Sequence, residues 1–120
     1  MKTQTYTEST VIPPTEPAQA DWSAWIDKMP PPPDALHVRG QVAVPNPGVD
    51  VFLYKKQPQG INPGILLLDL VLVQRPGIWP QVVNLKPAAY EEVGRNLSYT
   101  TVEVHAQGQP VISIHVDIVQ

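Results

Sequence analysis

From Ile65 to Val73 every residue is apolar except Asp69, and both parities are filled: Leu66, Leu68, Leu70 and Leu72 on one, Ile65, Leu67, Val71 and Val73 on the other. A half-buried strand needs only one apolar face. A strand that is apolar on both must be covered on both, which places it inside a layered structure. A buried helix would read similarly, but the run is short, and turn chemistry bounds it: Asn62-Pro63-Gly64 opens it and Arg75-Pro76-Gly77 closes it. Gly64–Gln74 is therefore expected to be the central strand of an all-β domain.

The chain around it has the matching texture. From Ala35, Leu36, Val38, Val42 and Val44 alternate with His37, Arg39, Gln41 and Ala43, and Pro45-Asn46-Pro47-Gly48 makes a tight turn. In Val49–Lys56, Val51 and Leu53 share one face, Phe52 and Tyr54 the other. Val83 and Leu85 share a face in Gln81–Lys86, which Pro87 is expected to end, since proline cannot donate to a ladder. Ala88–Glu92 fits a helical turn stopped by Gly94 or an edge strand continued after a bend. Tyr99–His105 turns Val102 and Val104 inward. Val111–Val119 sets Ile112, Ile114, Val116 and Ile118 against Ser113, His115 and Asp117.

Six or seven short strands with Pro/Gly turns and no βαβ crossover predict an all-β antiparallel β-sandwich over residues 35–120. In general look this is similar to immunoglobulin-like or transthyretin-like sandwiches. The paired cysteines and core tryptophan of antibody domains are absent, as is the Tyr-Arg-Gly-Ser ending of transthyretin-related hydrolases.

The first third reads differently. Residues 1–20 are Thr-rich and Pro-punctuated without periodicity, and are expected to form a disordered tail. In 21–29, Trp22, Trp25, Ile26 and Met29 fall at i, i+3, i+4 and i+7, which predicts a short amphipathic helix with Asp21 as its N-cap and Pro30 as its stop. Pro30–Pro33 then reads as a polyproline linker within 21–34. Two helical turns do not persist alone in water, so these tryptophans must dock, on their own domain or on a partner.

At 120 residues there is room for one domain and an appendage. No cysteine is present, which excludes disulfides and thiolate metal sites. The net charge of −3 lies in residues 1–34, and residues 35–120 carry six basic and six acidic side chains. A body without a basic stripe is a poor nucleic-acid ligand. No stretch reaches the roughly 18 apolar residues of a membrane helix. The N-terminus lacks the apolar core of a signal peptide, so a cytoplasmic protein is expected.

Candidate chemistry is sparse. His37, His105 and His115 sit on the non-core parity of their strands, and Glu103 and Asp117 each lie two residues from a histidine on the same face. Such a face could run acid–base chemistry or hold a divalent ion if the strands were neighbours, but no compact His-x-x-x-His ligand motif occurs. Asp69 on the central strand requires a partner, for which Arg39 is a candidate, or a position where the strand emerges at an edge. No nucleophile elbow, glycine-rich phosphate loop or Walker motif is present, and no cofactor or metal is expected. The reading is a non-catalytic interaction or accessory domain, with Trp22, Trp25, Ile26 and Met29 or a sheet edge as the contact. An unidentified protein or a second copy of the chain would be the partner. The alternative is an enzyme or a small-ligand or metal site on the face bearing His37, Asp69, His105, His115 and Asp117.

Overall fold

A computed structural model describes residues 3–14 and 21–120, and every regular element among them is a strand. In chain order these are β1 (Thr3–Tyr6), β2 (Thr10–Ile12), β3 (Ser23–Asp27), β4 (Asp34–Val44), β5 (Val49–Lys55), β6 (Ile65–Gln74), β7 (Gly77–Pro80), β8 (Asn84–Gly94), β9 (Thr101–Ala106) and β10 (Gln109–Val119). Among the described residues no helix is long and apolar enough to cross a membrane.

The main sheet runs β5-β6-β9-β10-β3-β4-β8 and is mixed: β6 with β9 and β10 with β3 are parallel, the other ladders antiparallel. It curls rather than forming two separate antiparallel sheets, and β10 is where it turns. The first part of β10 pairs with β9 (Gln109↔Ala106 to His115↔Thr101); its last four residues pair with β3 (Val116↔Ala24 to Val119↔Asp27). β10 thereby belongs to both walls of the core. β2 lies beyond the end of β9 on the same side of β6, through Thr10↔Gln74 to Ile12↔Leu72, while β1 and β7 form a separate two-stranded ribbon.

β6 is the inner strand its composition requires, flanked by β5 on one side and by β9 and β2 on the other. Leu66, Leu68, Leu70 and Leu72 are buried and pack in one core with Leu36, Val38, Val42 and Val44 of β4, Ile26 of β3, and Val102 and Val104 of β9. The opposite face does not close in the same way. Ile65, Leu67, Asp69, Val71 and Val73 are only half-buried.

Four local expectations are corrected. Residues 22–29 contain no helix: Ser23–Asp27 is a strand whose ladders run to β10 and β4. Period two wins because Ala24 joins Trp22 and Ile26 in the core, and two neighbouring strands satisfy a backbone that two helical turns could not. The prolines after it are not a spacer but the loop of the β3–β4 hairpin, with cis bonds at Pro30-Pro31 and Pro32-Pro33. The segments Thr3–Tyr6 and Thr10–Ile12, expected to lack structure, form strands; the rest of that expectation falls partly on residues 1–2 and 15–20, outside the described residues. Finally, β8 runs through Pro87 to Gly94. The sheet path ends at β8, and an edge strand has one side on which a missing N–H is tolerated.

Trp22 explains Gly40. The indole lies where a Cβ at position 40 would be, and the ladder partner of Gly40 on the next strand is Ala88, which is also buried. Two small residues side by side make the bed for the largest side chain of the core. Gly40→Ala is expected to destabilise by roughly 1–3 kcal/mol through overpacking against Trp22. Leu68→Ala should cost roughly 2–5 kcal/mol, and Leu67→Ala, on the half-covered face, clearly less. Urea denaturation of the three variants measures the differences; equal losses at 67 and 68 would contradict the two-faced reading of β6.

Candidate functional site

The sheet topology sorts the candidate residues by face. Trp22 and Ile26 are core residues, and Met29 is exposed in the β3–β4 loop, so the expected stripe does not exist as one surface. Trp25 alone of the pair of tryptophans points outward. Its ring stacks on His37 at 5.2 Å, and the guanidinium of Arg39 lies 5.9 Å from its centroid. The register makes a row across four strands, Asp117↔Trp25↔His37↔Glu91. Glu91 closes it: Arg39 donates to its carboxylate, and His37 Nδ1 lies 3.4 Å away. The Arg39 guanidinium first, and the His37 ring second, hold the Glu91 carboxyl below its ordinary value.

All three histidines are on the outer side of the sheet, each beside its own carboxylate. His105 Nε2 lies 2.7 Å from Glu103 Oε1, and His115 Nε2 lies 3.8 Å from Asp117 Oδ1. The pairs do not converge. His105 is on β9 across from Asp69, His37 is three strands away on β4, and the His115–Asp117 pair is open to solvent on the rim of a hollow of about 420 Å³ lined also by Lys28, Ser98 and Thr100. Among the described residues no group of three or more His, Asp or Glu is arranged to hold a metal ion. Asp69 pairs with Lys56 at 3.4 Å and not with Arg39, which is committed to Glu91.

Sequence reasoning missed the densest polar cluster, which lies on the inner parity of the two edge strands. Glu92 of β8 accepts hydrogen bonds from Tyr90 Oη and Tyr99 Oη, both 2.7 Å, and its carboxylate lies 3.2 Å from the ammonium of Lys55 on β5. Lys55 also donates to Tyr99 at 3.4 Å. Burial is the largest influence on Glu92 and would raise its pKa, but the bonds from both phenols and Lys55 outweigh it and hold the carboxyl below the ordinary value. Burial, then the hydrogen bond to Glu92, pushes Tyr90 well above the usual phenol range, and Tyr99 moves the same way. Lys55 is pulled down by burial and raised further by Glu92 and Tyr99. Both phenols therefore stay protonated and the lysine stays cationic near neutrality, which leaves the cluster no free base or nucleophile. The cluster is a clamp across the gap between β5 and β8. The signal available in the sequence was one of parity: Lys55 continues the inward set Val49, Val51, Leu53, and Glu92 the set Ala88, Tyr90.

The surface that remains is the outer face around β6. Register places Val11 beside Val73 and Phe52 beside Val71, with Tyr54 opposite Asp69. Phe52 is 40% and Val11 53% exposed, and Phe52 and Tyr54 stand with near-parallel rings 6.0 Å apart. The charges around this patch are paired, Lys56 with Asp69 and Arg75 with Asp50 at 3.4 Å. Comparison of the chain with protein-family models, with curated proteins and with solved structures finds no match.

The clamp has a pH signature. A carboxyl whose folded pKa is depressed contributes stability that is present above its unfolded value, here 4.5, and lost as pH falls through the folded one. Glu92→Gln should therefore cost roughly 1–3 kcal/mol at neutral pH. The gap to the parent chain should narrow as the medium is acidified below about pH 4.5. Chemical denaturation over a pH series measures it, and a gap that is undiminished at about pH 3 would mean that the charge of Glu92 is not what holds the clamp.

Proposed function

We propose that the protein is a non-catalytic interaction domain whose outer face at β2, β5 and β6 holds a protein partner with an uncharged, apolar surface. One observation carries the reading. β6 is apolar on both faces, yet the domain's own core covers one of them and leaves Ile65, Leu67, Val71 and Val73 half-covered, with Val11 and Phe52 exposed beside them. A buried strand composition on a half-open face is what an interface leaves behind when its second side is absent. Pairing of the nearby charges favours an apolar partner over a charged one, because charges that neutralise each other steer an encounter weakly. The expected hot spot is Phe52, the largest apolar ring on the patch.

A photoreactive side chain at Phe52 should form a protein adduct in cells, and the same group at His115, exposed on another part of the sheet, should not. Phe52→Ser, at an exposed position, should leave thermal stability nearly unchanged and abolish adducts from a second probe at Val11. Absence of adducts from both 52 and 11 would overturn the proposal.

A further inference from the structure

β8 is the longest strand at an end of the main sheet; side chains, and no backbone ladder among the described residues, join it to β5. It has eleven residues, its backbone ladder runs only to β4, and its outward side chains include Leu85, 67% exposed, and Val93, 65% exposed. Edges of this length are ordinarily blunted by solvated charge. Here the charges are occupied elsewhere: Glu91 by Arg39, Glu92 by Lys55, and Lys86 by the carbonyl of Pro47 at 2.9 Å. Pro87 is the device of protection that remains on the strand.

We propose that two copies of the chain associate by antiparallel pairing of β8 with β8 of the second copy, about a twofold axis at Ala89. The strand is self-complementary in that register. Asn84–Gly94 is centred on Ala89, so this alignment alone uses the full strand. It sets Leu85 opposite Val93 of the other copy, the two most exposed large apolar residues of the strand. It also sets Lys86 opposite Glu92, Ala88 opposite Tyr90 and Pro87 opposite Glu91, so that no like charges face each other and small residues meet large ones. Shifting the axis by one residue to Ala88 places Leu85 opposite Glu91, and shifting it to Tyr90 places Leu85 opposite Arg95. An isologous contact of this kind closes at two copies and does not propagate. Pro87 withholds one donor per chain and keeps the pairing reversible. The inference concerns a different surface from the proposed partner face, and either can fail without the other.

The chain contains no cysteine, which makes a single introduced thiol an unambiguous reporter. Ala89 is exposed and lies on the axis, so Ala89→Cys should oxidise rapidly to a covalent dimer, since directly opposed strand residues are within disulfide reach. Leu85→Cys should not, because the two copies of residue 85 would lie about 26 Å apart along the strand. In sedimentation equilibrium the parent chain should dimerise. Leu85→Glu and Val93→Lys, both at exposed positions and checked for unchanged circular dichroism, should each weaken dimerisation at least tenfold. An equimolar mixture of the two variants should recover it, because the carboxylate introduced at 85 in one copy then faces the ammonium introduced at 93 in the other. A parent chain that stays monomeric at about millimolar concentration, a dimer indifferent to both substitutions, or a failure of the mixture to recover would each overturn the proposal. So would faster oxidation at 85 than at 89.

Discussion

The inner face of β6 is the constraint on which the remaining structure depends. Four leucines, at 66, 68, 70 and 72, enter one core and must be met from the far side by side chains of complementary volume. Leu36, Val38, Val42 and Val44 of β4 meet them, so β4 must lie across from β6 and not beside it. That separation forces the chain out of one wall at the Pro45–Gly48 turn and into the other. The turn is secured accordingly. Asn46 and Gln74 are both fully buried and exchange side-chain hydrogen bonds of 2.6 and 3.1 Å, Gly48 N donates to Asn46, and the Trp79 ring lies where a side chain at 48 would be. Two buried amides that satisfy each other add direction where apolar packing alone would not.

Curling leaves two edges, β5 and β8, on the same open side. No backbone ladder among the described residues joins them; the Lys55–Glu92 pair with its two tyrosines does. A polar closure of this sort fixes the separation of the walls through fixed bond lengths. It also occupies Glu92, one of the charges on β8. The same four residues that seal the core therefore shape what the outside of the domain offers to other molecules.

Much of the framework was legible in the residues. The two-faced pattern of Ile65–Val73 located the inner strand, and strict alternation located β4, β9 and β10 because each has one core face. The outward parity of the three histidines was also readable. What was not legible were the features decided by neighbours. Trp22, Trp25, Ile26 and Met29 match a helical face as well as Trp22, Ala24 and Ile26 match a strand, and only the presence of β10 and β4 on either side settles which period applies. Pro87 signals the end of a strand everywhere except at a sheet edge, and strand order is not a local property. The Lys55–Glu92 clamp joins residues thirty-seven apart in sequence, each unremarkable alone. Two of the three histidine–carboxylate pairs, Glu103 with His105 and His115 with Asp117, were visible as pairs; that of His37 with Glu91, and the dispersal of all three over β4, β9 and β10, are consequences of sheet order.

The double membership of β10 has a consequence for how the domain comes into being. Its first part completes the wall built on β9, and its last four residues supply the parallel ladder for β3, a strand synthesised roughly ninety residues earlier. The wall that contains β3 is not whole until Val119 has emerged from the ribosome. β3 must therefore wait, with one edge unpaired, until residues some ninety positions downstream have been made. Until then that edge of β3 is without its ladder, and the order of the sheet ties the completion of this wall to a strand far downstream in the chain.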